Sequence, residues 1–439
     1  MLAVILFFIS LLSVGAWLLN YFKLKQGFRY IALAYGLGAA VISLELFLYF
    51  VIFRLSFSFF IYYFISLQTL AALWFVFKKI KWSNNFIFTW HKKYSISLVI
   101  GLVVVLFLAL NFIQAISKPI LAFDGIAFWS MRAQSLIVDK AVNFNSNSYN
   151  YLAAFSLKNY PWHYSLLEYW LRLLGGSGGY LNLISWGYLV GLVILIVEAG
   201  RRWLGEWQGW VFGLFFVSMP FIYYHSYNNY ADITLAYYSA VGMLFFIEWL
   251  MNNNQKLLFI AALFSGWAMF VKNEGIFCVI AFVGALFLAK LFKLIDLKWR
   301  KIGYGLLFLI FPIAPWLITK AVYGLGFSNV EGAFAWHPEI FYSLSQSLFV
   351  SNNWNTWWVI FALGSVIMSR MIVRDKSLLT AWLMFIFLSG GIIAMYAFTE
   401  HYLWAMDNTA ISRTIIPLAS TSIFIFMASL HVLDLKKYE

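Results

Sequence analysis

The sequence predicts an all-α integral membrane protein of about thirteen transmembrane helices, with interfacial helices in its first large outer loop. Three observations carry the prediction. Hydrophobic residues make up 63% of the chain and charged residues 11%, against roughly half and a quarter in soluble domains. Apolar runs of about 20 residues, long enough to cross a bilayer as helices, recur from end to end. Basic residues collect after alternate runs, so the charge pattern itself marks two sides of a membrane.

The runs fall near 1–22, 30–52, 55–77, 95–116, 180–199, 207–224, 232–251, 256–271, 275–294, 302–323, 354–372, 377–398 and 413–432. The 256–271 run is the shortest. The first run lacks a basic leader and a small-residue cleavage site, so it reads as a retained span rather than a signal peptide. Lys23, Lys25 and Arg29 follow the first span, and Lys78, Lys79, Lys81, Lys92 and Lys93 follow the third. Continuing through Arg201, Arg202, Lys256, the 290–301 and 370–376 clusters and Lys436 with Lys437, 21 of the 30 basic residues fall on one side. The positive-inside rule then sets the N-terminus outside and the C-terminus in the cytoplasm of a plasma-membrane protein. The net charge of +13 thus reports orientation and not a nucleic-acid partner. Cys278 is the single cysteine, which excludes an internal disulfide and a cysteine metal cluster.

The same topology places loops 117–179, 324–353 and 399–412 outside. It divides the chain into N-terminal accessory helices (1–94), a core (95–323) carrying the 117–179 loop, and C-terminal helices with outer loops (324–439). The stretch "LAFDGIAFWSMRAQSLIVDKA" (121–141) opens the first outer loop. A helix starting at Asp124 has an apolar stripe of Ile126, Trp129, Ala133, Leu136 and Ile137. Asp124, Arg132, Ser135 and Asp139 share the other side, as suits a helix lying in the interface. A second helix begins at "NYPWHYSLLEYWLRLLGGSGG", where Pro161 suits a first turn, Glu168 and Arg172 pair at i,i+4, and glycines end it.

Three further polar clusters stand at the outer ends of spans. "YYHSYNNYADITLAYY" gathers His225, Asn228, Asn229 and Asp232, and Asp232 also suits a helix N-terminus through the dipole. "MFVKNEGIFC" sets Lys272 and Glu274 between two apolar runs with almost no loop. Charges at membrane depth are costly unless paired or wet, so they mark function or a tied turn. "FTEHYLWAMDNTAISRTIIPL" brings Glu400, His401, Asp407 and Arg413. Arginine grips phosphate with a planar fork, or snorkels to the interface. Glu45 in the second span and His337 in the 324–353 loop carry no assignment. There is no Walker loop, no G-x-S-x-G elbow and no H-E-x-x-H. Sugar nucleotides are cytoplasmic, and these clusters face out; group transfer here therefore calls for a lipid-borne donor.

Four of these segments resemble the GT-C glycosyltransferases, specifically the protein-mannosyltransferase-like branch. They are "FDGIAFWSMRAQSL", "NYPWHYSLLEYWLRLLG", "NNYADITLAYYSA" and "VKNEG", covering roughly 95–295. One departure is that three spans precede the one leading into the Asp124 loop, where many members have one. The resemblance implies a polyprenyl-phosphate-sugar donor, an acceptor (glycan, lipid or protein) at the outer face, and displacement with inversion. Asp124 then matches the general base, with Asp232 as a second catalytic carboxylate, because a hydroxyl acceptor must lose a proton. Arg132, Tyr160, His163, Lys272, Glu274, His401 and Arg413 are the expected substrate-binding residues, Lys272 and Arg413 facing the phosphate. Asp124, His163, Asp232, Lys272 and Arg413 are expected around one outward-facing cavity. No cofactor is assigned, and a divalent metal ion shared by Asp124 and Asp232 stays open as an expectation. The rival reading is a transporter or flippase for a lipid-linked or amphipathic substrate; the absence of an internal repeat and of midplane charge clusters weighs against it.

Overall fold

A computed structural model describes residues 1–22, 27–56, 59–79, 95–142, 144, 158–327, 334–407 and 410–435. Among these residues every regular element is helical. In chain order they are α1 (Leu2–Phe22), α2 (Phe28–Phe47, prolonged by a π-turn to Ile52), α3 (Phe59–Lys79) and α4 (Ser95–Ser117). A π-turn, Gly125–Ser130, leads into α5 (Met131–Asp139), followed by α6 (His163–Leu173), α7 (Leu183–Trp203), α8 (Glu206–Ser218) and α9 (Pro220–Ser226). Then come α10 (Asp232–Asn252), α11 (Gln255–Val271), α12 (Ile276–Leu291), α13 (Trp299–Ile310) and α14 (Ala314–Tyr323). The chain finishes with α15 (Ile340–Ser345), α16 (Trp357–Arg374), α17 (Lys376–Phe398), α18 (Tyr402–Met406) and α19 (Ile411–Leu435).

Ten of the expected spans are single helices long and apolar enough to cross a bilayer. The other three depart from that form, each for a local reason. The 207–224 run breaks at Met219, whose extended backbone precedes Pro220; a residue before proline avoids the helical region. The 302–323 run is two helices bent by 60°, with Pro312 in the break and Pro315 just beyond it, where the missing N–H and the ring disrupt the helical ladder. The 256–271 run forms α11, only 17 residues long. The hydrophobic count was right about apolarity and blind to these interruptions.

Burial separates two kinds of span. Only 22% of the α3 and α4 windows is covered by protein, against 94% for α10. Phe60, Leu67, Trp74 and Phe77 on α3 are therefore exposed apolar groups of the kind lipid solvates. Without a hydrophobic drive between helices in lipid, close backbone approach and polar bridges do the joining. At the α1–α2 contact a side chain on Gly15 would collide with the Ala34 carbonyl, and one on Gly38 with that of Leu11. Indole N–H groups donate to serines: Trp170 to Ser10 at 3.0 Å, Trp357 to Ser422 at 2.8 Å and Trp382 to Ser429 at 3.1 Å.

The chain forms two compact units. The first comprises residues 1–198, 225–234 and 315–327; the second comprises 199–224, 235–314 and 328–439. In the first, α6 packs on α1, α2 and α5. In the second, α17 packs on α12, α16 and α19. The "NFNSNSYNYL" loop, apart from Phe144, and the basic residues Lys23, Lys25, Lys81, Lys92, Lys93, Lys436 and Lys437 lie outside the described residues.

Candidate functional site

Asp124, Arg132, Tyr160, His163 and Asp232 belong to the first unit; Lys272, Glu274, His401 and Arg413 belong to the second. In the first unit Asp124 is half-buried and stands just before the π-turn Gly125–Ser130. A π-turn holds an extra residue relative to an α-turn and recurs at functional positions. It also explains why the expected stripe is only partly realised. Trp129, Ala133 and Leu136 are buried as expected, whereas Ile126, the second residue of the wide turn, is 45% exposed, because the extra residue shifts its position around the helix axis relative to the α-helical stripe.

Buried Asn229 fastens this turn. Its Nδ2 donates to Glu168 Oε2 at 2.7 Å, to Ser130 Oγ at 3.1 Å and, more weakly, to the Gly125 carbonyl at 3.4 Å. Its Oδ1 accepts from the Tyr164 hydroxyl at 2.8 Å. The Tyr164 hydroxyl also lies 2.7 Å from Ser185 Oγ, whose single proton goes either to that hydroxyl or to the Tyr230 carbonyl at 2.9 Å. Burial raises the Tyr164 pKa above the ordinary phenol value, so the hydroxyl keeps its proton and can donate. Glu168, fully buried, is paired with Arg172 at 2.7 Å, as the i,i+4 spacing anticipates. Gly125 meets Asn229 directly: a Cβ there would lie 3.1 Å from the Asn229 carbonyl. The loops bearing Asp124 and Asp232 are thus joined through one amide.

Asp232 begins α10 and lies 3.6 Å from His225 Nδ1, both nearly fully buried. The His225 ring also packs on Tyr230 at 4.5 Å between centroids. The carboxylate therefore serves its helix N-terminus and a partner at once. Arg132, expected on a polar face, is buried instead. Its guanidinium donates to the carbonyls of Pro161 at 3.0 Å and Tyr160 at 2.8 Å and lies over the Trp162 ring at 4.6 Å. Carbonyls satisfy a guanidinium where no water reaches, and polar-face counting along one helix misses such partners. His163, expected at the substrate, is enclosed at the start of α6. Nδ1 meets Ser43 Oγ at 2.6 Å and Nε2 meets the Tyr188 hydroxyl at 3.0 Å. Burial lowers its pKa well below the usual imidazole value, so the ring is held neutral between these two hydroxyls. Tyr160 is half-buried, its ring 6.3 Å from Trp129.

In the second unit Lys272 and Glu274 form an ion pair at 3.4 Å across the turn between α11 and α12. The turn is tight because Gly275 touches Ala268 backbone that any Cβ would strike. His401 opens α18 and pairs with Thr399 Oγ1 at 2.9 Å. Burial lowers the His401 pKa, while the charge of Glu274 acts to raise it. That opposition groups Lys272, Glu274 and His401 in one electrostatic neighbourhood. Arg413 lies in the first turn of α19, half-buried. Among the described residues no group of three or more His, Cys, Asp or Glu gathers to hold a metal ion. Tyr164 is a site-building residue that the sequence reading did not single out; Glu168 was read only as the partner of Arg172, and Asn229 only as one of a polar cluster, not as the link between two loops. The available signal was a carboxylate in the middle of an apolar helix.

Comparison with known proteins follows the same segments. Residues 161–319 match the family model described as dolichyl-phosphate-mannose-protein mannosyltransferase. No curated protein matches the sequence. Two crystal structures of ArnT from Cupriavidus metallidurans have a similar fold. The one bound to undecaprenyl phosphate superposes with a TM-score of 0.54 at 15% identity, over 77% of this chain and 60% of that one. The apo form gives 0.52 at 16% identity, over 76% and 60%. The chain therefore spans about 60% of the length of those structures. Its regular elements are all helical among the described residues, and it is a multi-pass membrane protein with the fold of the GT-C glycosyltransferases.

Proposed function

We propose that the chain is a membrane glycosyltransferase that moves a sugar from a polyprenyl-phosphate donor to a hydroxyl-bearing acceptor at the extracytoplasmic face, with inversion. The observation that carries this reading is Asp124 at the head of a π-turn locked by Asn229 and Glu168. A carboxylate on a rigid support is what proton abstraction from a weak nucleophile requires. The fold likeness to ArnT bound to undecaprenyl phosphate and the family match over 161–319 support the lipid-borne donor. The acceptor oxygen attacks the anomeric carbon as the bond from that carbon to the phosphate oxygen breaks. The acceptor's proton passes to Asp124, and the polyprenyl phosphate leaves with its negative charge. Lys272 and Arg413 are assigned to that charge, Glu274 and His401 to setting the electrostatics around Lys272, and Asp232 to supporting the Asp124 loop. Were a divalent ion bound, Asp124 and Asp232 would be the carboxylates to hold it, and it would supply further positive charge. The test is an in vitro transfer assay with purified protein and a panel of polyprenyl-phosphate sugars, with and without chelator. No transfer from any lipid-linked donor by folded protein would reject the reading.

A further inference from the structure

Two buried cations converge on one short turn. Arg132 donates to the carbonyls of Pro161 and Tyr160 and, at 3.4 Å, to that of Lys158. Lys320 on α14 donates to the intervening carbonyl of Asn159 at 2.8 Å and to that of Gly326 at 2.5 Å. Four successive carbonyls, 158 to 161, are thus held by two positive side chains. Lys320 is only 4% exposed and lies against the Trp316 and Phe327 rings at 4.8 and 4.5 Å. Packing alone would be served better by an apolar side chain, since a buried ammonium is costly unless its hydrogen bonds are met. What the charge adds is direction: it fixes the turn's carbonyls.

The turn reaches the reaction chemistry in two contacts. Tyr160 packs its ring on Trp129, and Trp129 lies inside the π-turn that separates Asp124 from Arg132. Arg132 stands two residues past the end of the same π-turn, anchored to the 158–161 carbonyls. A wide turn persists only where its surroundings hold it. Closing it to an α-turn would rotate the residues on its N-terminal side by ~100°, Asp124 among them.

We propose that Lys320 is a positioning residue for Asp124. With Arg132 it holds the 158–161 turn against Trp129, which keeps the π-turn open and the Asp124 carboxylate correctly aimed. The proposal rests on Asp124 being the base. The experiment compares Lys320→Met with Lys320→Arg in full-length protein, using amide hydrogen exchange over residues 124–132 and transfer kinetics. Lys320→Gln, neutral but still a donor, is measured alongside in case the apolar variant does not fold. Lys320→Met should speed exchange at 124–132 and lower kcat by up to ~10²-fold, as a misplaced catalytic group does. The donor KM should stay within about twofold, and Lys320→Arg should restore most of the rate. In an Asp124→Asn background the Lys320 substitution should cost nothing further, because both act through one group. Unchanged exchange at 124–132 in folded protein would overturn the proposal, as would an equal loss of rate in both backgrounds. Should wild-type protein transfer no sugar, the functional reading fails, while the exchange comparison still decides what Lys320 does.

Discussion

Asn229→Ala is the sharpest perturbation of the candidate site, because one amide joins two loops. The substitution removes three hydrogen bonds of ordinary length, to Glu168, Ser130 and from Tyr164. A bond to a charged group contributes about 1.5–3 kcal/mol and a neutral one about 0.5–1.5. The 3.4 Å approach to the Gly125 carbonyl is too long to add much. The sum is about 2.5–6 kcal/mol. The lower part of that range applies, because Glu168 keeps Arg172 and Tyr164 keeps Ser185. A loss of about 3 kcal/mol, or ~10²-fold in the folding equilibrium, is expected. Reversible unfolding in mixed micelles measures it, and the transfer assay should show a parallel loss as the Asp124 turn loosens. Asn229→Asp sharpens the test by setting a second carboxylate beside Glu168. Like charges raise the pair's pKa in the folded state above its unfolded value. The added destabilisation is then present at neutral pH and relieved as pH falls through the raised value. If Asn229→Ala retained wild-type stability and activity, the amide would not be fastening the loop.

Asp124→Asn should lower transfer by roughly 10²–10⁴-fold while donor binding, followed by a labelled polyprenyl phosphate, persists; full activity in folded protein would reject the base assignment. Lys272→Ala and Arg413→Ala should weaken donor binding and turnover together, since the phosphate charge is present before and after the sugar leaves. His163 should make stability acid-sensitive. Its folded pKa is depressed by burial, so the unfolded chain takes up a proton below about pH 6.5 that the folded chain refuses. Stability then falls as pH drops from there towards the folded value, and His163→Gln should flatten that slope in unfolding curves. A cysteine in place of Asn147, outside the described residues, should label from the extracytoplasmic side; labelling only from the cytoplasm would reverse the orientation.

Hydropathy made the spans legible because lipid leaves a backbone few choices: a run such as Leu2–Phe22 must be helical if it crosses. The interruptions were legible only in part. Pro220, Pro312 and Pro315 were visible signals, but apolar counting passes straight over them. The tie between Glu168 and Arg172 follows from helical spacing, whereas Asn229 reaching Ser130 and Glu168 depends on how distant segments meet. Arg132 was misread for the same reason: its partners are carbonyls, which every residue possesses and no sequence pattern advertises.

The first unit draws its parts from residues 1–198, 225–234 and 315–327, and this has a consequence during synthesis. Ribosomes add about 5–20 residues per second. Asp124 therefore enters the membrane environment several seconds to tens of seconds before Asn229, and longer still before Lys320. In that interval the nascent chain holds the carboxylate without Asn229 and Lys320, although α6 already has α1, α2 and α5 to pack on. Ribosome-arrested chains ending before residue 225 should present the 124–132 stretch as protease-sensitive, and chains long enough to expose residue 327 should protect it.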